Sequence, residues 1–559
     1  MSGPYRLPAS ADRRFGAAID RDEPVGFRFA GRSCSGFYGD TLASALLAGA
    51  APRWGASPLL GRPRALAALG LEDIALVALE DDSGAWAGVS GDEIAIREGL
   101  AARPLRSAAE ASFGRLAPRL ALERLRRVLP LPAPRLPPTE PSPDARRETC
   151  DVVVVGAGLA GLAAAAAARA AGLSVVVLEA SFRAGGAADL FDGRIDGRAP
   201  GQWATRQAAA LADRSALTLG ATAIAVEADG SVVAVERVDP RKPGRVAVRV
   251  VSAGAVVLAT GVRERPLAFR DNDRPGVMNS LAVRALLRRH AVAPGESVVV
   301  ATLSDDGYRT AIDLSEAGVS VKMVIDARED PQGPAIDLAK AMGVPLSFAS
   351  VVTGVDYDEQ DSHVVAVHAA NRFGEGAASA ARSFTVDGLV VSGGFAPRDE
   401  LLARSGLGPD EGLFSAQGGS GVGDAIAAGW AAGSAAARHL FAEPTRDAPV
   451  VEAVRDEPDG PVAAYLGRLT AEDAASAFVD FGADITAADI AEAIGQGADG
   501  PQALSRRIGL GLGGDAGRFS ADLPSHAFAA AGARGAPPPP SPGRPTLGLM
   551  AARASLRED

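Results

Sequence analysis

The sequence predicts an α/β protein in which two Rossmann-like βαβ units are nested, preceded by a small β-grasp-like domain and followed by a small helical one. Three observations predict this. The first is the order DVVVV, GAGLAG, an alanine-rich stretch and LSVVVLEA over residues 151–180. An all-apolar run this short suits a strand buried on both faces of a parallel sheet. The second is residues 297–326, SVVVATLSDDGYRTAIDLSEAGVSVKMVID, which repeat the strand–helix–strand outline. The third is a pair of proline-rich segments, at 130–144 and 535–545, which can be neither helix nor central strand. These place a β-grasp-like domain at 1–129, a linker at 130–147 and the two-unit domain at 148–445. A helical domain is expected at 446–530 and a proline-rich tail at 531–559.

Each element has its own signal. In FRFAGRSCSGFYGD, Phe27 and Phe29 alternate and Ala30-Gly31 can turn, which predicts a hairpin. Asp40 is the expected cap of a helix whose Leu42, Ala45 and Leu46 share a face. The segments VVLATG (256–261) and GLVVSGGFAP (388–397) read as further buried strands, and GVGD (421–424) as a turn opening a helix.

The first unit carries a nucleotide-binding pattern. Gly156, Ala157, Gly158, Leu159, Ala160 and Gly161 sit between strand and helix, and Glu179 ends the next strand, followed by Ala180. In this context the first glycine permits a tight turn, the second admits a pyrophosphate and the third lets helix meet strand. The acid is placed for ribose hydroxyls. Arg183 and Gly186 are expected to close over the phosphates, and Thr260 and Gly261 to line the site. NAD and FAD use the same fingerprint, so the pattern alone leaves both open. The second unit has Asp305 and Asp306 where glycines belong, and these are expected to repel a pyrophosphate at a helix N-terminus. Gly423 and Asp424 have two readings: a contact to the cofactor, or Asp424 as a plain N-cap.

Composition bounds the function. A net charge of −11 argues against nucleic-acid or anionic-membrane partners. The two cysteines, Cys34 and Cys150, are far apart and form no Cys-x-x-Cys, which excludes disulfide-reductase chemistry, a disulfide framework and an iron–sulfur cluster. With no apolar run for a signal or a span, a cytoplasmic protein is expected. His290, His363, His368, His439 and His526 fall in no metal-spaced or triad-like context, so no metal is expected. The catalytic residues stay unassigned, and the chemistry is expected on a partner.

Several motifs together resemble the alpha subunit of the heterotetrameric sarcosine oxidase family and its relatives, opine oxidase and cyanide-forming glycine dehydrogenase. They are FYGDTLASALLAGA (37–50) with GRPR (61–64), GAGLAG with Glu179, VVLATGVRERPLAFRDNDRPGVM (256–278), VAPGESVVVATLSDD (292–306), VVSGGFAP and FVDFGADITAADI (478–490). The resemblance implies an N-terminal ferredoxin-like domain without its cluster and NAD in the first unit of an FAD/NAD(P)-binding domain. It also implies an FAD-containing beta subunit that oxidises a small-molecule secondary or N-methylated amine, further small subunits, and FMN at a subunit interface. The family's aminomethyltransferase-like C-terminal half is expected to be absent from this chain, and folate chemistry with it. Where the family has a lysine and a threonine near its interfacial flavin, this chain has Arg518, able to pair with a phosphate, and Phe519, which cannot replace a hydroxyl donor. Two other readings remain: a self-sufficient FAD-dependent oxidoreductase, and a non-catalytic subunit with structural NAD.

Overall fold

The structure is a computed structural model. It describes residues 4–104, 144–371, 382–511 and 519–531, apart from short interruptions at 13, 52, 58–59, 70–73, 82–83, 213–215, 240–245, 359, 361–362, 420, 454–458, 468 and 521–522. Arg518, most of the linker and the proline-rich tail lie outside the described residues. The chain divides into two compact units, each assembled from separate stretches. One unit takes 1–136, 264–396 and 456–540; the other takes 137–263, 397–455 and 541–559. The span 148–445 is therefore shared between them.

The first unit opens with a mixed five-stranded sheet: β1 (Asp20–Phe29), β2 (Arg32–Tyr38), β3 (Leu76–Asp81), β4 (Gly84–Ser90) and β5 (Ala101–Pro104), in the order β2-β1-β5-β3-β4. β1 and β5 run parallel and the other pairs antiparallel, which is β-grasp topology. The hairpin turns at Ala30 and Gly31, both left-handed (φ 50° and 81°), as a tight two-residue connection requires. Helix α1 (Leu42–Ala48) follows, but its N-cap is Thr41 in a capping box with Ser44. Asp40 is instead fully buried, taking hydrogen bonds from Arg6, the Phe37 amide and the Ser44 hydroxyl. A buried arginine partner outweighed the capping role.

In the other unit, β6 (Asp144–Val155), α2 (Leu159–Ala170) and β7 (Val175–Glu179) form the first βαβ. With β8 (Leu217–Leu219), β9 (Ala221–Val226), β10 (Val232–Arg237) and β11 (Val246–Leu258) they build a sheet ordered β8-β7-β6-β11-β10-β9, and strand Leu413–Ser415 pairs parallel to β11. β6 starts at Asp144, inside the expected linker, because its polar first half pairs with β11 from Ala247 to Ala253. Backbone pairing needs no apolar side chain, so hydrophobicity alone showed only Val152–Val155. Helix Val422–His439 packs on α2 so closely that a Cβ at Gly429 or Gly433 would lie 2.1 or 2.3 Å from the carbonyl oxygens of Ala160 and Ala164.

The second βαβ belongs to the first unit. β12 (Val277–Asn279), α3 (Ser280–His290), β13 (Ser297–Thr302), α4 (Asp305–Glu316), β14 (Ser320–Asp326), β15 (Leu346–Ser347) and β16 (Gly388–Ser392) give an all-parallel sheet ordered β12-β16-β13-β14-β15. Short helices at Ala487–Gly495, Pro501–Ile508 and Leu523–Ala530 complete this unit. Its β-grasp residues Leu42 and Leu46 share one apolar cluster with Leu286 and Val298, and Phe478, Phe481 and Phe528 share another with Leu389 and Val391. The three parts are thus packed as one body. No helix among the described residues is long and apolar enough to cross a membrane.

Candidate functional site

The turn between β6 and α2 assigns each glycine a different task. Gly156 is left-handed (φ 104°), and a Cβ there would lie 2.3 Å from the Ala259 carbonyl oxygen. At Gly161 a Cβ would lie 1.8 Å from the Gly156 carbonyl oxygen, so only glycine lets the helix reach the strand. Above Gly158 there is open space: an added Cβ would meet nothing within 4 Å. Gly158 is also the N-cap of α2, with no side-chain cap and no acidic residue in the first turn. The first amides of Leu159, Ala160 and Gly161 therefore lack helical partners at the positive end of the helix dipole, next to the open space over Gly158. That arrangement fits an anion, and a pyrophosphate in particular.

Glu179 is fixed beside this turn. Its carboxylate accepts from the Ala157 amide at 2.7 Å and from the Ser181 amide at 2.9 Å. Those bonds hold the acid in one orientation and leave further lone pairs for hydroxyl donors. The following loop leans on the turn: the Gly185 amide donates to the Ala157 carbonyl (2.8 Å), and a Cβ on Gly186 would come 3.3 Å from the Gly158 Cα. Gly185 (φ 100°) was not singled out in the sequence, although the Gly-Gly pair was its signal. Arg183 is exposed and ion-paired with Asp189, so its guanidinium is not free over the phosphate lane. Arg237 stacks on Phe182, 4.9 Å from the ring centroid, and donates to the Ala180 carbonyl at 2.9 Å. A cation–π pair between residues 55 apart in a sequence leaves no local pattern.

Thr260 and Gly261, just past the end of β11, are tied to the segment around Arg398. The Thr260 hydroxyl donates to the Arg398 carbonyl, the Arg398 amide to the Gly261 carbonyl (3.0 Å), and the Gln417 side chain also reaches the Arg398 carbonyl (2.9 Å). The N-cap of helix Val422–His439 is Gly421, so the N-cap reading of Asp424 is corrected; Asp424 is exposed in the first turn. The glycines before it have a packing reason, since a Cβ on Gly418 or Gly419 would lie 2.6 Å from the Asp424 carbonyl oxygen or 2.5 Å from its carboxylate. Gly423 is half-buried, 3.9 Å from Val451 by the same measure.

The turn of the second βαβ differs in kind. Asp305 and Asp306, expected to repel a pyrophosphate at the helix N-terminus, are buried and paired inward. Asp305 meets Arg328 at 2.9 Å, and Asp306 meets Arg284 at 2.6 Å. Asp326, at the end of β14 where Glu179 stands in the first unit, is taken by Arg328 and by the Tyr308 hydroxyl, at 2.9 and 2.8 Å. Burial raises the Asp326 carboxyl above its ordinary range despite those partners.

The remaining candidates are quiet. Burial pushes the Cys150 thiol up to about 11, with Glu148 and Asp151 adding to it, so it stays protonated near neutral pH. His363 bonds to the Asp387 carbonyl and His368 to Asp356, both structural contacts. Phe519 is a core residue, edge-on to Phe481 with ring centroids 4.7 Å apart. Among the described residues there is no group of three or more His, Cys, Asp or Glu side chains able to hold a metal ion.

Comparison with known proteins agrees with this geometry. Residues 150–415 match the pyridine nucleotide-disulphide oxidoreductase family, and residues 474–539 match the sarcosine oxidase A3 domain. The alpha subunit of sarcosine oxidase from Rhizobium meliloti (strain 1021) is 31% identical over 92% of this chain and 55% of its own length. That of Corynebacterium sp. (strain P-1) is 32% identical over 92% of this chain and 54% of its own. The chain thus spans about half the length of the curated relatives it matches. An opine oxidase subunit from Rhizobium meliloti is 36% identical over 33% of the chain and 36% of its own length. Among solved structures, L-proline dehydrogenase from P. horikoshii superposes with a TM-score of 0.65 over 96% of this chain and 100% of its own, at 16% identity, which supports the fold. The first βαβ is accordingly of the dinucleotide-binding type, and the chain is homologous to the sarcosine oxidase alpha subunits over about half of their length.

Proposed function

We propose that this chain is the dinucleotide-binding subunit of a heteromeric, flavin-dependent amine oxidoreductase of the sarcosine oxidase type. NAD would occupy the first βαβ, and a partner subunit bearing FAD would oxidise a secondary or N-methylated amine. The observation that carries the reading is the open lane above Gly158, at an uncapped helix N-terminus beside an anchored Glu179. It occurs in a chain whose relatives are named as sarcosine oxidase alpha subunits. In this reading the amides of Leu159 to Gly161 take the pyrophosphate and Glu179 takes ribose hydroxyls. Thr260 and Gly261 would line the site, and Gly423 with Asp424 would contact the cofactor. Arg183 would reach the phosphates only by leaving Asp189. A bound dinucleotide would supply two-electron redox chemistry; the residues hold and orient it.

The test is mass spectrometry of cofactors released from the purified chain together with whatever co-purifies. NAD on this chain and flavin on a second subunit is the expected result. Flavin on this chain alone would overturn it in favour of a self-sufficient flavoenzyme. Gly158→Ala supplies the site-level check. Its methyl group meets no protein atom within 4 Å, so the fold should survive. It intrudes on the phosphate lane, and dinucleotide affinity should fall at least tenfold, about 1.4 kcal/mol, read by titration calorimetry.

A further inference from the structure

The α4 N-terminus holds a second polar centre that the dinucleotide reading does not use. Glu264, in the RERP motif, has its side chain buried with Ser280, Asp306, Ser304 and Ser392. Its carboxyl meets the Ser280 hydroxyl and accepts from the Leu281 amide at 2.9 Å. The same Ser280 hydroxyl lies 3.0 Å from the Asp306 carboxylate and 3.4 Å from the Ser392 hydroxyl.

We propose that Glu264 and Asp306 form a carboxyl pair holding one trapped proton across the hydroxyl of Ser280. A serine hydroxyl carries a single hydrogen and can donate to only one acceptor at a time. Two ionised carboxylates facing the Ser280 hydroxyl would leave one of them without that hydrogen and set two like charges side by side in a buried site, with the Ser392 hydroxyl and the Leu281 amide as the other donors to Glu264. A proton on Glu264 resolves both problems: Glu264 donates to Ser280, and Ser280 donates to Asp306. The proton belongs on Glu264 because Asp306 has the cations. Arg284, on α3, lies 2.6 Å from Asp306, and Arg309, on α4, lies 3.9 Å from it. Among the described residues no guanidinium or ammonium is paired with Glu264.

The charged groups around the centre are few. From α3 come Arg284 and Arg288, both engaged with Asp313 of α4. From α4 comes Asp306 itself. From the end of β16 comes the Ser392 hydroxyl, backed by Ser304 at 3.0 Å. Burial first, and the Asp306 charge second, push the Glu264 carboxyl up to about 8, while its hydrogen bonds act the other way. The sign follows. The folded chain keeps this proton up to about pH 8, whereas an unfolded glutamate gives it up in the ordinary carboxylate range. Stability contributed by this group therefore falls as pH rises between those two values and levels off above the higher one.

Glu264→Gln tests this directly, because glutamine keeps an acceptor for Leu281 and a donor for Ser280 while removing the titration. Denaturant unfolding of the full chain is compared with that of the variant from pH 5 to 9.5. The ratio of the two unfolding constants should change about tenfold per pH unit up to about pH 8, then level off, with the wild type losing stability relative to the variant. Parallel curves across the range would overturn the proposal. A second measurement serves if the variant does not fold. The infrared carbonyl stretch of a protonated carboxylic acid should be present in the wild type at pH 7 and vanish on titration through about pH 8. Its absence at pH 7 would also overturn the proposal. Neither readout depends on a bound dinucleotide, so this inference and the proposed function fail separately.

Discussion

Replacing Arg64 with methionine is expected to destabilise the unit containing the β-grasp sheet by about 3–5 kcal/mol, the cost of removing one partner from a buried charge pair. Arg64 is 1% exposed. Its guanidinium pairs with Asp273 and, at 3.1 Å, with Asp484, and it donates to the Asp273 carbonyl at 3.0 Å. It also lies 5.4 and 5.7 Å from the ring centroids of Phe478 and Phe481. One side chain thereby ties the GRPR segment to the NDRPGVM segment and to the start of the helical part. Methionine keeps most of the stem, so the loss reports the charge and its bonds rather than an empty cavity. Asp273 would keep Arg62, at 2.6 Å, and Asp484 would lose a buried cation. Arg64→Lys should recover only part of the stability, since an ammonium cannot fork between two carboxylates as a guanidinium does.

The same variant should change the response to acid. Burial works to raise the Asp273 carboxyl, but Arg64, Arg62 and Arg274 outweigh it and hold it below the ordinary range. A carboxyl depressed on folding contributes stability that is fully present above its unfolded value and lost as pH falls through its folded value. Without Arg64 the folded value rises, so the acid loss should begin at a higher pH than in the wild type. Denaturant midpoints measured from pH 7 down to 3 would show it; superimposable pH profiles would mean that Arg62 alone fixes the charge.

Gly161→Ala is the second large effect, expected to destabilise the unit carrying the first βαβ by about 3 kcal/mol through overpacking. The added Cβ would sit 1.8 Å from the Gly156 carbonyl oxygen, 2.9 Å from its carbon and 3.3 Å from the Ala259 Cβ. Gly156 cannot yield. Its amide is bonded to the Leu178 carbonyl at 2.7 Å, and it lies too close to the Ala259 carbonyl to accept a side chain of its own. The helix would have to lift from the strand, carrying with it the amides proposed to hold the dinucleotide, so dinucleotide binding should be lost together with stability. Gly158→Ala should lose binding alone. A thermal melt and a titration on both variants separate the two roles, and equal destabilisation would contradict the geometry.

The glycine-rich turn after β6 was legible in the sequence because its requirements are local. A left-handed turn, an open approach and a close helix contact each demand glycine within six residues, and Glu179 follows at the end of the next strand. The β-grasp hairpin was legible for the same reason, through Phe27, Phe29 and the Ala30-Gly31 turn. The polar half of β6 was hidden because its ladder partner is about a hundred residues away. The cap of α1 was misread because Arg6 and Ser44 claim Asp40. Sequence by itself determined the two βαβ units and placed glycines and an acid at the first turn. Only the tertiary structure decided that Asp305, Asp306 and Asp326 turn inward onto Arg328 and Arg284. It alone joined Arg64 to Asp273 and Asp484, and Glu264 to Asp306 through Ser280. Buried charges choose their partners by distance in space and by the cost of leaving water, and no spacing along the chain records either.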